Sequence, residues 1–270
     1  MTREELLHEL AAIIASRISS RCLRVAIDGI DAAGKTTLAD ELAVLMQAQG
    51  LPVIRASIDG FHQPRSERYR RGPDSPEGYY EDSFDYDSLK TMLLRPLGLE
   101  GNGRYRRAAF DFREDAPLSV EEEEALPNAI LLFDGVFLQR PELADSWDYR
   151  IFVDVKKETA LQRALERDLS LLGSTEVIQT RYEQRYFPGQ QMYDQAVHPQ
   201  EQADVIIDNN DPSHPQLIFP QPSLASALAG KWSDLDWETA LEELARIRHE
   251  SKSSPPLSLG FEEDNNDAEI

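Results

Sequence analysis

The segment Gly29-Ile30-Asp31-Ala32-Ala33-Gly34-Lys35-Thr36 fits the pattern G-x-x-x-x-G-K-[ST]. Glycines at such positions let the backbone curl until successive N–H groups point inward at phosphate oxygens. Gly29, Asp31, Ala32, Ala33, Gly34, Lys35, Thr36 and Thr37 are therefore the candidate phosphate-binding set. Lys35 would reach the β- and γ-phosphates of a bound nucleotide, and the Thr36 hydroxyl would serve Mg²⁺.

In open α/β sheets a ligand sits beyond the carboxyl ends of the strands. Asp59, Asp134 and Asp154 fall at such ends. Asp134 closes the most apolar run of the chain and has the character of a magnesium-holding carboxylate, so Thr36 and Asp134 form the candidate metal pair. Asp59 suits proton abstraction from an attacking hydroxyl, or the holding of a metal-bound water. Asp154 has no such company and reads as a turn cap. His62, three residues past Asp59, suits a contact to substrate or phosphate as well as simple exposure to water.

These residues need elements to hold them. Residues 23–28 read as a strand entering the Gly-rich turn, and 35–49 as a helix stopped by Gly50. Residues 53–58, 150–155 and 203–207 read as further strands, and the unbroken apolar run 129–133 suits a strand buried on both faces. Residues 3–18 have helical spacing behind a Thr2–Glu5 capping box, and 157–172 and 175–186 read as helices. The alternation implies an α/β chain with a mainly parallel sheet. With the phosphate-loop pattern the expectation is a P-loop NTPase-type three-layer fold, to which the family resemblance described below adds a lid and a substrate-side hairpin. The expected domain spans 1–210, with substrate loop and hairpin over 60–118 and the lid over 163–190. An extension over 211–252, with a helix near 236–249, and a disordered acidic tail over 253–270 follow.

The net charge of −21 disfavours nucleic acid and anionic membranes as partners, and obliges a nucleotide binder to gather its bases locally. Arginines do cluster, at 65–71, 104–107, 163–167 and 181–185. One cysteine, Cys22, permits no intrachain disulfide and reads as a small buried apolar residue. No apolar run approaches membrane-spanning length, so we expect a cytoplasmic chain. Tyr79, Tyr80, Phe84 and Tyr86 suit an aromatic wall for a flat base, though such residues more often pack a loop onto its domain.

Several short motifs share one order: Gly29 to Thr36, Asp59-Gly60-Phe61-His62, Asp82-Ser83-Phe84-Asp85, Phe133-Asp134-Gly135, Arg163 with Arg167-Asp168, and Ala203-Asp204-Val205-Ile206-Ile207. In that order they resemble the uridine kinase-like branch of P-loop kinases, relatives of phosphoribulokinase and bacterial pantothenate kinase. The resemblance implies ATP and Mg²⁺, with Asp59 as catalytic base beside Lys35, and Arg167 stabilising the transferring phosphoryl group. It places Asp85 on substrate hydroxyls and Phe110 against a nucleobase. His62, Arg181 and Arg185 complete the implied substrate set. The family usually carries Glu where Asp134 stands. Its nucleoside kinases place a His on the hairpin, yet no His lies between His62 and His198. Their lid is Arg-rich just after the Arg-Asp pair, whereas 169–180 holds no base, which leaves Arg181 and Arg185 as substitutes. The segment Arg181 to Gln190 has no chemical assignment.

The expected activity is ATP-dependent phosphorylation of a hydroxyl on a small metabolite, uridine or cytidine foremost. Pantothenate, glycerate or a sugar phosphate is the alternative acceptor. The competing class is a nucleotide-dependent switch NTPase, whose turnover would answer to a protein partner; the long loop after Asp59 speaks for a small acceptor.

Overall fold

Val25 and Ile27 of strand Leu23–Gly29 (β1) point to one face of a sheet and Ala26 to the other, and all three are fully buried. The structure, a computed structural model, describes residues 1–220. Helix Arg3–Ala15 (α1) starts at the Thr2–Glu5 capping box, and helix Lys35–Ala48 (α2) leads to strand Val53–Ser57 (β2). Three short helices occupy the long loop: Arg65–Arg68 (α3), Pro76–Asp82 (α4) and Tyr86–Leu89 (α5).

The hairpin region holds two short ladders. Arg104–Tyr105 (β3) pairs with Glu123–Glu124 (β6), and around the nested turn Phe110–Asp111 (β4) pairs with Ala116–Pro117 (β5). The acidic run beside β6 has a local use: Glu122 pairs Arg104 at 2.9 Å and Glu123 pairs Arg107 at 2.5 Å.

Strand Ile130–Asp134 (β7) is buried at every position, as its apolar run requires. Strand Tyr149–Asp154 (β8) leads to helix Lys157–Leu172 (α6), followed by helix Thr175–Arg181 (α7). The expected helix over 175–186 is helical throughout and runs on: a π-helical turn over Tyr182–Tyr186 joins α7 to helix Phe187–Val197 (α8). Pro188-Gly189 argues against a helix locally, but Pro188 comes just after the π-helical turn, where the backbone ladder is already interrupted. Helix Pro199–Gln202 (α9) and strands Val205–Asp208 (β9) and Gln216–Ile218 (β10) follow, so the sheet continues past residue 210. The expected helix near 236–249 and the acidic tail lie outside the described residues.

The sheet order is β10-β9-β8-β1-β7-β2, parallel except for β10. Helices α1 and α2 cover one face through Leu6, Leu10, Ile14, Leu38, Leu42 and Met46. The other face packs against Phe61, Leu93, Phe137 and Tyr193 from the acceptor-side elements. This order matters for the site. Although β1 precedes β2 in the chain, β7 lies between them, with Ile27 and Ser57 both in register with Asp134. The ends of three strands thus meet beside the phosphate loop.

Gly29 shows how tightly that loop is built. Its φ is +144°, and a Cβ there would stand 2.3 Å from the Val153 carbonyl oxygen on β8. Gly29→Ala should cost on the order of 3 kcal/mol or more in unfolding free energy, from strain and overpacking together. Urea unfolding of the variant measures it, and a midpoint equal to wild type would refute the account.

Candidate active site

A cleft of about 600 Å³ opens over the phosphate loop. Asp31, Ala32, Gly34, Lys35, Thr36 and Thr37 line its floor, and Asp59, His62 and Asp134 line it from the ends of β2 and β7. Arg163 and Arg167 enter it from α6. The structure therefore brings together in one cleft the residues expected to hold metal and proton and six of the eight expected to bind phosphate; Ala33 is buried and, like Gly29, lies outside the cleft lining.

Two features shape the loop. Gly34 has φ +93° and Ala32 has φ +58°, which turns their N–H groups away from any strand-like direction. Beneath, Asn209 donates Nδ2 to the Ala33 carbonyl at 2.8 Å, and Arg163 donates to the carbonyls of Asn209 at 2.7 Å and Ala33 at 3.4 Å. Arg163 is thus a brace for the loop. Lys35 is buried, with its ammonium donating to the Ile30 carbonyl at 2.6 Å. Burial pulls its pKa down, opposed by the charges of Asp31, Asp28, Asp134 and Asp59.

The Thr36 hydroxyl donates to Asp134 Oδ2 at 2.5 Å. Asp134 Oδ1 stands 2.8 Å from an Arg55 nitrogen, but the angle makes no hydrogen bond, and the atom is buried without a donor. A hydroxyl beside a carboxylate at the start of the phosphate-loop helix is a hard oxygen pair of the kind that suits Mg²⁺, through the Oδ2 side that meets Thr36, since Oδ1 is buried against Arg55. Among the described residues no group of three or more His, Cys, Asp or Glu comes together.

Asp59 is open to the cleft on one side. The protein packed around the rest of it removes water, and the charges of Asp134 and Asp31 add to the effect against Lys35 and Arg167. The result is a pKa raised to about 6. A carboxyl poised there is well matched to taking up a proton near neutral pH. His62 stacks on Phe112, with ring centroids 4.8 Å apart, and meets Phe84 edge-on at 4.6 Å. Burial lowers its pKa to about 4, so it is neutral in the working range.

Arg167 borders the cleft with its guanidinium held by Asp168 at 2.7 and 2.9 Å. Four other expected substrate contacts lie elsewhere. Both oxygens of Asp85 are taken by Ser88, from its N–H at 2.9 Å and its hydroxyl at 2.6 Å, so Asp85 caps α5. Phe110 is buried in β4, away from the cleft lining. Arg181 ends α7 and does not line the cleft. Arg185, 3% exposed, donates to the carbonyls of Arg68, Gly72, Pro73 and Ser75 at 3.0–3.4 Å and stacks over Tyr69. Its charge is committed to closing the 68–75 turn. Short motifs show which residue types are present but not which way they face.

Of two acids of the loop region, Asp28 went unread in the sequence and Asp31 was read only as a member of the phosphate-binding set. Asp28 is wholly buried and accepts from the Tyr193 hydroxyl, the Gly29 N–H at 2.8 Å and Gln139 at 3.4 Å. Burial raises its pKa. A carboxylate inside an otherwise apolar strand was the available signal. The side chain of Asp31 faces Tyr79 and Gln190, for which the sequence carries no signal, because both partners are distant in the chain.

A three-layer α/β fold, a phosphate loop and a hydroxyl–carboxylate pair beside a poised acid define a P-loop kinase. Residues 25–213 match the model of the phosphoribulokinase / uridine kinase family. The chain is 28% identical over 189 residues to a uridine kinase from Chlamydia pneumoniae, covering 69% of this chain and 81% of that protein. It is 29% identical over 187 residues to uridine-cytidine kinase B from Dictyostelium discoideum, covering 68% and 73%. A solved chain from Bacillus stearothermophilus, described as a possible uridine kinase, superposes with a TM-score of 0.60 at 23% identity, covering 76% of this chain and 98% of that one, which speaks for the fold alone. The chain belongs to the phosphoribulokinase / uridine kinase family. It is a small-molecule kinase that takes ATP as nucleotide. Among the described residues no helix is long and apolar enough to cross a membrane.

Two stability measurements check this geometry. Arg185→Ala leaves one buried and three part-buried carbonyls without this donor and should lower unfolding free energy by about 1–3 kcal/mol, with Arg185→Lys a poor rescue because an ammonium lacks the planar fork. Asp59→Asn should raise the melting temperature at pH 7.5. The folded state raises the Asp59 pKa, so the favourable contribution of its neutral form is present at low pH and lost as pH climbs through about 6. The gain should shrink as pH falls toward 4, and a gain that grows instead would contradict the electrostatic reading.

Proposed function

We propose that this kinase phosphorylates a hydroxyl of an uncharged nucleoside, uridine or cytidine foremost, using Mg-ATP. One observation carries the choice of acceptor. Among the described residues the cations lining the cleft are Lys35, Arg163 and Arg167; Lys35 and Arg163 bond to the phosphate loop and Arg167 to Asp168. Ile58, His62, Tyr79, Phe84, Val136 and Tyr186 also line it. A sugar phosphate, glycerate or pantothenate brings an anion that meets no further cation among the described residues, beside Asp31, Asp59 and Asp134, whereas a neutral ring among aromatics meets no such penalty.

The chemistry follows from the residues present. The loop backbone and Lys35 bind and orient the triphosphate. Mg²⁺, served by Thr36 and Asp134, would neutralise charge on the β- and γ-oxygens. Asp59 takes the proton of the acceptor hydroxyl as its oxygen bonds to the γ-phosphorus and the bond from that phosphorus to the β,γ-bridging oxygen breaks, releasing ADP. Arg167, once released from Asp168, reaches the transferring group. Most of the acceleration comes from positioning and preorganised charge.

ADP release against a panel of nucleosides, pantothenate, glycerate and sugar phosphates, with mass detection, tests the reading. Uridine or cytidine phosphate should form; turnover with only the anionic acceptors would overturn the choice. Asp59→Asn should retain ATP binding and lose about 10²- to 10⁴-fold in kcat. The acid limb of kcat/KM in wild type should lie near 6, because below it Asp59 already carries the proton it must accept. A profile flat from pH 5 to 8 would remove Asp59 as the base.

A further inference from the structure

The segment from Tyr182 to Tyr193 reaches the phosphate loop from the far side of the cleft. Gln190, 5% exposed, donates Nε2 to Oδ2 of Asp31 at 2.8 Å. Tyr79 of α4 donates its hydroxyl to the same oxygen at 2.5 Å. Helices α4 and α8 meet at Gly189, where a Cβ would stand 2.8 Å from the Tyr79 ring and 3.0 Å from the Pro76 carbonyl oxygen. A larger residue there would push the two donors apart. Two buried donors and one close-packed glycine thus hold a single carboxylate oxygen.

The other oxygen of Asp31 is differently placed. No donor from the described residues reaches Oδ1, and it is not among the buried atoms left without a partner, so it is open to solvent in a residue that lines the cleft. Asp31 lines that cleft together with Tyr79, Tyr182, Tyr186 and Arg167. A carboxylate repels phosphate oxygens and can only accept, so its free edge suits a ligand that brings a donor. ATP carries its own donors on the ribose and adenine, away from the β- and γ-phosphates that the loop holds, whereas the acceptor brings its hydroxyls up to the transferring phosphate, which is where Asp31 stands beside Lys35. Asp85, the acid that the sequence suggested for acceptor hydroxyls, is turned into the cap of α5.

We propose that Asp31 is the acceptor-recognition carboxylate of this kinase. It accepts a hydrogen bond from an acceptor hydroxyl other than the one phosphorylated, and Tyr79 and Gln190 are positioning residues that aim it. The proposal rests on the reading of the chain as a kinase of an uncharged, hydroxyl-rich acceptor. Asn at position 31 can still accept from Tyr79 and Gln190 through its carbonyl, but it presents an amide donor to the cleft. The substitution therefore tests recognition with the scaffold kept.

The experiment is steady-state kinetics of the full chain with Mg-ATP and uridine, 2′-deoxyuridine or 3′-deoxyuridine. Should the panel return another polyol, its own deoxy analogues take their place. Wild type should disfavour one deoxy analogue by about 10- to 100-fold in kcat/KM, the worth of a hydrogen bond to a charged group. Asp31→Asn should raise the acceptor KM by a similar factor, keep the KM for ATP within about twofold and erase the discrimination. Tyr79→Phe and Gln190→Ala should give smaller losses that vanish in the Asp31→Asn background. Unfolding midpoints establish that each variant is folded. An unchanged acceptor KM, or a rise confined to the KM for ATP, would make Asp31 a brace of the phosphate loop and overturn the proposal. If wild type phosphorylates no alcohol at all, the kinase reading of the acceptor fails first and takes the proposal with it, an outcome distinct from a working kinase indifferent to Asp31.

Discussion

The contact between Thr36 and Asp134 depends on strand β7 lying between β1 and β2. That insertion puts Asp134 in register with Ile27 on one side and Ser57 on the other, so the residues after three strands converge. A slip of one position would send Asp134 to the wrong face and bury it without a partner. The apolar alternation that prevents the slip comes from both faces at once. Ile130 and Leu132 pack toward α1 and α2, while Leu131 and Phe133 pack toward the acceptor-side elements.

Charge in the cleft is arranged as well as concentrated. Asp28, Asp31, Asp59 and Asp134 all act on Lys35. In a chain of net charge −21 this gathers acids where an anionic nucleotide must bind. Each acid has a use that limits the repulsion: Asp28 is capped by Tyr193, Asp31 by Tyr79 and Gln190, and Asp134 by Thr36. Asp59 is held by no side-chain donor and its pKa is raised to about 6, which is the property a proton acceptor needs.

The acceptor side is held by side-chain-to-backbone bonds rather than by a sheet. Arg185 gathers the carbonyls of the 68–75 turn, Arg68 reaches the Phe112 carbonyl and Asp115, and Trp147 donates to the Leu138 carbonyl at 2.6 Å. This acceptor-side wall is tied to the phosphate loop as well: Tyr79 and Gln190 donate to Asp31, and Tyr193 donates to Asp28 just before the loop, so changes in the wall are felt at the loop.

What the sequence determined by itself was local. The P-loop pattern, the two-sided apolar strands, the Thr2–Glu5 cap and the acids at strand ends follow from neighbours within a few residues, where pattern and geometry are tightly linked. The tertiary structure decided what depends on distant partners. It turned Asp85 into a cap, took Arg185 out of the substrate set, carried the helix through Pro188 and gave Asp31 two donors from 48 and 159 residues away. A side chain's direction is set by whatever packs against it. For these residues that partner lies in another element, so spacing along the chain could name them but could not aim them.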